Sequence, residues 1–279
     1  MRLDLVLPNE GAAATQAVKS GAHYEAMGWD GLWLTDHIVG VDAFKHTRFG
    51  ASWLELITCL THLAAQTRTV RIGAGVLVLP YRDPVVTAKM IATIDVLSGG
   101  RVDLGVGAGW ARREFMAVSR GDIYEERGAF TNEVLDAMLA CWKGGRVDFH
   151  GRWFTLEKFD FAPSPAQGER VPIWVGTRGH APGPMRRAAK YADVWHPDSL
   201  TPEQMTSAGD QLDEMAGRKV PRSLRIHCDA DTAKTADLLA QYREAGCMQV
   251  ACAFDGLESF AEFDKAAEAL LEASRDLQR

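Results

Sequence analysis

Asp36-His37 stands where an apolar strand, Gly31 to Thr35, gives way to a polar, glycine-containing loop running to about Ser52. A histidine can move one proton near neutral pH, and an acid beside it can hold its tautomer or raise its proton affinity. A second stretch, Arg101 to Phe115, reads RVDLGVGAGWARREF. It is an apolar strand that runs into Gly105, Gly107 and Gly109, followed by Trp110 and Glu114. Glycines so closely spaced let the backbone approach a flat or anionic group. A third stretch, Gly176-Thr177-Arg178-Gly179, follows a short apolar strand and precedes a helix. Backbone N–H groups and a hydroxyl placed there can hold a phosphate. Each also has an ordinary structural reading: glycines for packing, Asp36 or Glu114 as a cap, Arg127 in a surface salt bridge, Trp33 and Trp195 as barrel core.

The elements that position these residues alternate between strand and helix. Strands are expected at Leu3–Leu7, Gly31–Thr35, Val70–Val78, Val102–Val106, Ile173–Val175, Asp193–His196, Leu224–Cys228 and Met248–Phe254. Helices are expected over Ala12–Met27, Trp53–Gln66 with Ser52 as N-cap, Asp83-Pro84 to Leu97, Ala129–Trp142, Pro184–Tyr191, Pro202–Met215, Ala233–Ala245 and Phe260–Leu277. Residues 144–166 interrupt the rhythm: VDFHGRWFTLEKF alternates on either side of His150-Gly151 and reads as a β-hairpin insertion. Eight strand–helix units with one insertion match a closed (β/α)₈ TIM barrel better than a doubly wound sheet, as one domain over 1–279. In such a barrel the chemistry sits at the carboxyl ends of the strands. Asp36-His37, Gly75-Val76, Gly107 to Trp110, Gly176 to Arg178 and His196 all fall there by element order alone.

The bulk numbers exclude several classes. A chain of 279 residues can bury roughly 75% of its unfolded surface. Hydrophobic residues are 47%, charged residues 24% and the net charge is −6, with no basic patch, so nucleic acid is not an expected partner. No apolar run reaches about 18 residues, so no membrane span is expected. The amino terminus reads as a first strand and not as a signal peptide. Five scattered cysteines without CxxC spacing fit a reducing cytoplasm. No metal site is expected, since the first strand has no His-x-His and the eight histidines show no HExxH.

Several of these motifs together resemble the luciferase-like monooxygenase superfamily, in particular its branch that uses the deazaflavin coenzyme F-420. They are Leu32-Trp33-Leu34-Thr35-Asp36-His37, the strand end Gly105-Val106-Gly107-Ala108-Gly109-Trp110 with Glu114-Phe115, and Glu126-Arg127-Gly128. The resemblance runs from the first strand to about the sixth. It implies a non-proline cis peptide between Gly75 and Val76, bulging against the bound ring. It implies that Asp36 lies against that ring, that His37 faces the reacting carbon, and that Gly176, Thr177 and Arg178 hold the cofactor phosphate with help from Arg127. Gly107, Gly109, Trp110 and Glu114 would wall the ring, with Glu114, Asp36 and His37 as catalytic candidates. Trp33, Trp195 and His196 would line the substrate end. Related deazaflavin sugar-phosphate dehydrogenases carry a proton-donating glutamate where this chain has Trp110, so that particular activity loses support. The expected function is hydride transfer between the deazaflavin and a small organic substrate. Two alternatives stand beside it: an FMN-dependent monooxygenase using reduced flavin and oxygen, and a non-catalytic flavin-binding protein. Members of the superfamily are often homodimers, and the FMN reading calls for a separate flavin reductase (a deazaflavin reductase in the other case).

Overall fold

The computed structural model describes residues 1–40, 52–178, 181–228, 231–257 and 259–278. The first strand, β1 (Arg2–Val6), is followed by two short helices, α1 (Ala14–Lys19) and α2 (Gly21–Met27), where one long helix was expected. They part at Ser20, whose hydroxyl donates to the Gln16 carbonyl four residues back, a bond that competes with the helix ladder. The chain continues through β2 (Gly31–Leu34), α3 (Leu56–Gln66), β3 (Arg71–Val78), α4 (Pro84–Ser98) and β4 (Val102–Gly107). Helix α3 starts three residues later than expected. Its cap is Glu55, whose carboxylate accepts from the Thr58 amide, and Ser52 is not the cap. Helix α4 begins as expected, with Asp83 accepting from the Val85 and Val86 amides and Pro84 in the first turn.

A long loop was expected after β4. Part of it is helical: α5 (Arg112–Ala117), then a 3₁₀ turn, then α6 (Arg127–Trp142). The insertion is the antiparallel hairpin β5 (Gly145–His150) and β6 (Thr155–Phe161). After it come β7 (Ile173–Arg178), α7 (Pro182–Tyr191), β8 (Val194–Asp198), α8 (Pro202–Ala216), β9 (Arg222–Cys228), α9 (Thr232–Glu244), β10 (Cys247–Phe254) and α10 (Phe260–Ala273). The eight parallel strands close in the order β1-β10-β9-β8-β7-β4-β3-β2, a TIM barrel as expected.

Alternation along each strand sorts side chains into two cores. Leu3, Leu5, Leu32, Leu34, Leu224 and Ile226 point outward into the apolar layer beneath the helices. Val6, Trp33, Trp174, Val194, Ala251 and Ala253 pack inside the cylinder. Lower in the barrel, Asp4 accepts from Arg2, Trp33 Nε1 and Gln249 Nε2, and Arg2 and Arg71 both reach Asp103. His196 lies on Trp33 with ring centroids 4.9 Å apart and planes 20° off parallel. The cylinder is therefore filled by side chains below its mouth.

The Gly75–Val76 peptide is cis, as the resemblance implies, and the β3–β4 register shifts between Ala74 and Leu77. The surrounding glycines make room for the Val76 side chain. A Cβ on Gly107 would stand 2.6 Å from Val76 Cγ2, and one on Gly176 would stand 2.5 Å from Val76 Cγ1. The close approach expected between these glycines and a ligand is thus taken up, at both positions, by the protein's own valine. Gly105 is tighter still, since a Cβ there would lie 2.0 Å from the Ala74 carbonyl oxygen.

Replacing Gly105 with alanine forces two strand backbones apart. It is expected to destabilise the protein by more than about 3 kcal/mol in urea unfolding. The contrasting change is Gly183→Ala, in the first turn of α7, where an added Cβ meets nothing within 4 Å. That change is expected to be neutral or to stabilise by about 0.5 kcal/mol.

Candidate functional site at the barrel mouth

The mouth is formed by the carboxyl ends of the strands, and its best-ordered corner is built around Glu114. This residue lies on α5 and is 1% exposed. Its Oε2 faces His37 Nδ1 at 3.0 Å and accepts from the Tyr81 hydroxyl at 3.0 Å. Its Oε1 accepts from the Ile38 amide at 2.7 Å. Burial alone would raise its pKa, but the bonds from His37, Ile38 and Tyr81 outweigh that and hold it below the ordinary glutamate value. An ionised carboxylate only accepts hydrogen bonds, so Nδ1 of His37 carries a proton and Nε2 is the ring nitrogen turned away from Glu114. The ring lies between two indoles, with centroids 4.4 Å from Trp53 and 6.2 Å from Trp110.

The acid that orients His37 is therefore Glu114, 77 residues away in the chain, and not the adjacent Asp36. Asp36 is buried, accepts from both terminal nitrogens of Arg82 at 2.6 and 2.8 Å, and also accepts from the Val78 amide. Its carboxylate is fully engaged in fixing the end of β2 to the end of β3. Tyr81 and Arg82 are consecutive, so one short turn after β3 holds both acids. The capping alternative for Glu114 does not apply, because its carboxylate leaves its own helix.

The floor consists of Gly75, Val76 and Gly176, all half-buried. Gly109 has φ of +73° and turns the chain out to Trp110, which is 47% exposed. Arg127, expected at the cofactor phosphate, instead donates to the Gly109 carbonyl at 3.1 Å and the Tyr124 carbonyl at 2.8 Å, and lies over the Tyr124 ring. It steadies the glycine strand end. The Thr177 hydroxyl accepts from Trp195 Nε1 at 3.0 Å on the outer side of β7, so of this loop Arg178 is the exposed side chain on the mouth side. Gly179 lies outside the described residues.

Trp33, Trp195 and His196 do not line an open substrate end. All three are buried: Trp33 and His196 under the floor, Trp195 in the layer behind β8. His196 Nδ1 donates to Ser223 Oγ at 2.8 Å, because that hydroxyl spends its own proton on the Trp195 carbonyl. Burial beside Arg225 pushes the His196 pKa down to about 3, so its ring stays neutral.

Five further mouth residues carried no signal in the sequence: Glu10, Trp53, Tyr81, Arg225 and His227. Each sits in ordinary-looking loop or strand sequence, and only closure of the barrel brings them together. Glu10 follows β1 and pairs with Trp53 through the backbone. Burial pushes its carboxyl up, against the pull of His37 and Arg225. His227 is held on both ring nitrogens, by Asp198 at 3.5 Å and Asp255 at 2.5 Å.

These residues fit a flat redox ring. A floor of glycine backbone and one valine at Gly75, Val76 and Gly176, a half-exposed indole at Trp110 and an oriented histidine at His37 are what such a ring requires. Arg178 offers a cation at the rim. Among the described residues no cluster of three or more histidine, cysteine or acidic side chains has the arrangement of a metal site, and no helix is long and apolar enough to cross a membrane.

The barrel and its hairpin insertion define a TIM barrel with a polar, glycine-lined mouth, and comparison with known proteins places it in a family. The family model for luciferase-like monooxygenases matches residues 1–278, and the chain belongs to that family. An uncharacterized protein of Mycobacterium tuberculosis is 31% identical over 212 residues, covering 74% of this chain and 69% of the relative. The pyrimidine monooxygenase RutA of a Bradyrhizobium species is 36% identical over 143 residues, or 50% of this chain and 38% of RutA. Among solved structures, an F420-dependent secondary alcohol dehydrogenase in complex with an F420-acetone adduct shares the fold with a TM-score of 0.80 at 18% identity, covering 99% of each chain.

His227 makes one solution property testable. The bonds to Asp198 and Asp255 raise its pKa from 6.5 to about 9 in the folded protein. A base whose folded pKa is raised contributes stability that is complete below the unfolded value and lost as pH climbs through the folded one. Urea midpoints are therefore expected to fall between about pH 6.5 and 9, and His227→Gln is expected to flatten that part of the profile. A profile of unchanged slope in the variant refutes the assignment.

Proposed function

We propose that the protein moves a hydride between a deazaflavin of the coenzyme F-420 type and a carbon of a small organic substrate, with His37 carrying the accompanying proton. The observation that carries this reading is the Glu114–His37 pair at the edge of the glycine-valine floor. A histidine with its Nδ1 proton locked on a buried carboxylate presents one basic nitrogen in one direction, which is what proton transfer at a fixed atom requires. The bound deazaflavin supplies a ring carbon that accepts or releases hydride. Gly75, Val76 and Gly176 would support its ring, Gly107, Gly109 and Trp110 its edge, and Arg178 its phosphate. In the oxidising direction His37 Nε2 takes the hydroxyl proton as the carbon loses its hydride. In the reducing direction the same nitrogen, protonated, returns it. Trp53 and Trp110 contact the His37 ring and would limit its freedom to turn.

A second reading, oxygenation with reduced FMN, is favoured by the match to RutA, a pyrimidine monooxygenase. It would require a partner flavin reductase. Homodimerisation belongs to the same proposal in either case.

Titration of the purified protein with F-420 and with FMN, followed by ligand fluorescence, separates the two readings. Tighter binding of the deazaflavin is expected, and binding of neither ring defeats both. His37→Ala is expected to keep that binding and lose turnover by about 10²-fold or more. Unchanged turnover in this variant removes His37 from the reaction, and a wild type that binds the ring without turning over any substrate is a carrier. Glu114→Gln is expected to lower kcat with little change in KM, because it leaves the ring in place but no longer dictates its tautomer.

A further inference from the structure

We propose that Arg225 forms an oxyanion subsite in the mouth and takes the carboxylate of a small organic acid, which names the substrate class of the reading above and rests on it. Arg225 belongs to the inward-facing set of β9. Its neighbours Leu224 and Ile226 are in the outer core, and Ser223, two residues earlier, bonds His196 inside the cylinder. From there the guanidinium reaches across the mouth, with its Nη1 3.5 Å from the Gly75 carbonyl oxygen on the floor. The Glu10 carboxyl at the end of β1 lies within reach of the charges of both Arg225 and His37.

Apart from the bond from Nη1 to the Gly75 carbonyl, the guanidinium has capacity to spare. Its Nε–H is buried and has no hydrogen-bond acceptor, and among the described residues no carboxylate forms an ion pair with it. The nearby acids are engaged elsewhere. Asp198 and Asp255 are held by the two nitrogens of His227, Asp36 by Arg82 and Glu114 by His37. A buried N–H without an acceptor carries a desolvation cost that a ligand oxygen removes. A planar guanidinium presents parallel N–H groups matched to the two oxygens of a carboxylate. Glu10, with Asp198 and Asp255 also within reach of the Arg225 charge, sets a limit on the negative charge the site accepts and favours a monoanion over a doubly charged phosphate.

The test needs no cofactor. Propionate and propionamide have the same size and differ in charge, and each is titrated into the wild-type protein by saturation-transfer NMR. Propionate is expected to saturate at least about 10-fold more tightly than propionamide. Arg225→Met is expected to abolish the difference and Arg225→Lys to retain part of it, with thermal melting confirming that both variants are folded. Equal binding of the two ligands by the wild type, or propionate binding that survives in Arg225→Met, overturns the subsite. A protein that binds F-420 but not propionate loses this inference alone. One that binds propionate but neither ring keeps the subsite and loses the redox reading.

Discussion

The mouth of this barrel depends on one buried carboxylate. Glu114 receives hydrogen bonds from His37 after β2, from the Ile38 amide in the same loop, and from Tyr81 after β3, while its own backbone belongs to α5 after β4. Three consecutive strand ends thus meet at two oxygens. Such a group is costly to bury and is stable only when its hydrogen-bonding capacity is met, and here the partners are numerous enough to keep it ionised. The same bonds that satisfy the carboxylate orient the imidazole, so the requirement of burial and the requirement of the site are met by one arrangement.

A second constraint lies beside it. Val76 projects into a space that exists because Gly107 and Gly176, on two different strands, have no side chains. The floor is therefore a composite of three strands keyed together by one valine. Arg127 adds to this from outside by fixing the Gly109 carbonyl at the strand end. These contacts lie within the protein, yet they set the height and flatness of the surface on which a ligand ring would rest.

The architecture was legible because it depends on periodicity. Strand–helix alternation, proline and aspartate at the start of α4, and the alternating hairpin VDFHGRWFTLEKF each report local geometry. The roles of individual site residues were less so. Asp36 is adjacent to His37 in sequence, but neighbouring side chains at a strand end point apart, and Asp36 turns to Arg82 instead. Glu114 was recognised as a candidate, but its partner was not, since only closure of the barrel brings α5 against the β2 loop. The glycines marked a close approach, but at Gly107 and Gly176 what approaches is the protein's own Val76 and not the flat or anionic group expected there. Trp33 and His196 face the interior of the barrel as inward positions should, but one layer lower, under the floor. Arg225 and His227 lie in the third of the chain where no motif stands out, and their meaning comes from which acids surround them.

Tyr81 and Arg82 make the two sides of the mouth unequal. The sector from β2 to β4 is cross-braced through Asp36, His37, Tyr81, Arg82 and Glu114, and a change to any one of these five disturbs the others. The sector from β8 to β10 has a brace of its own, His227 between Asp198 and Asp255, which shares no member with the first. Under the proposed function, single replacements in that second sector would alter specificity while the corner around Glu114 and His37 keeps its geometry, so the two properties would be mechanically uncoupled in this scaffold.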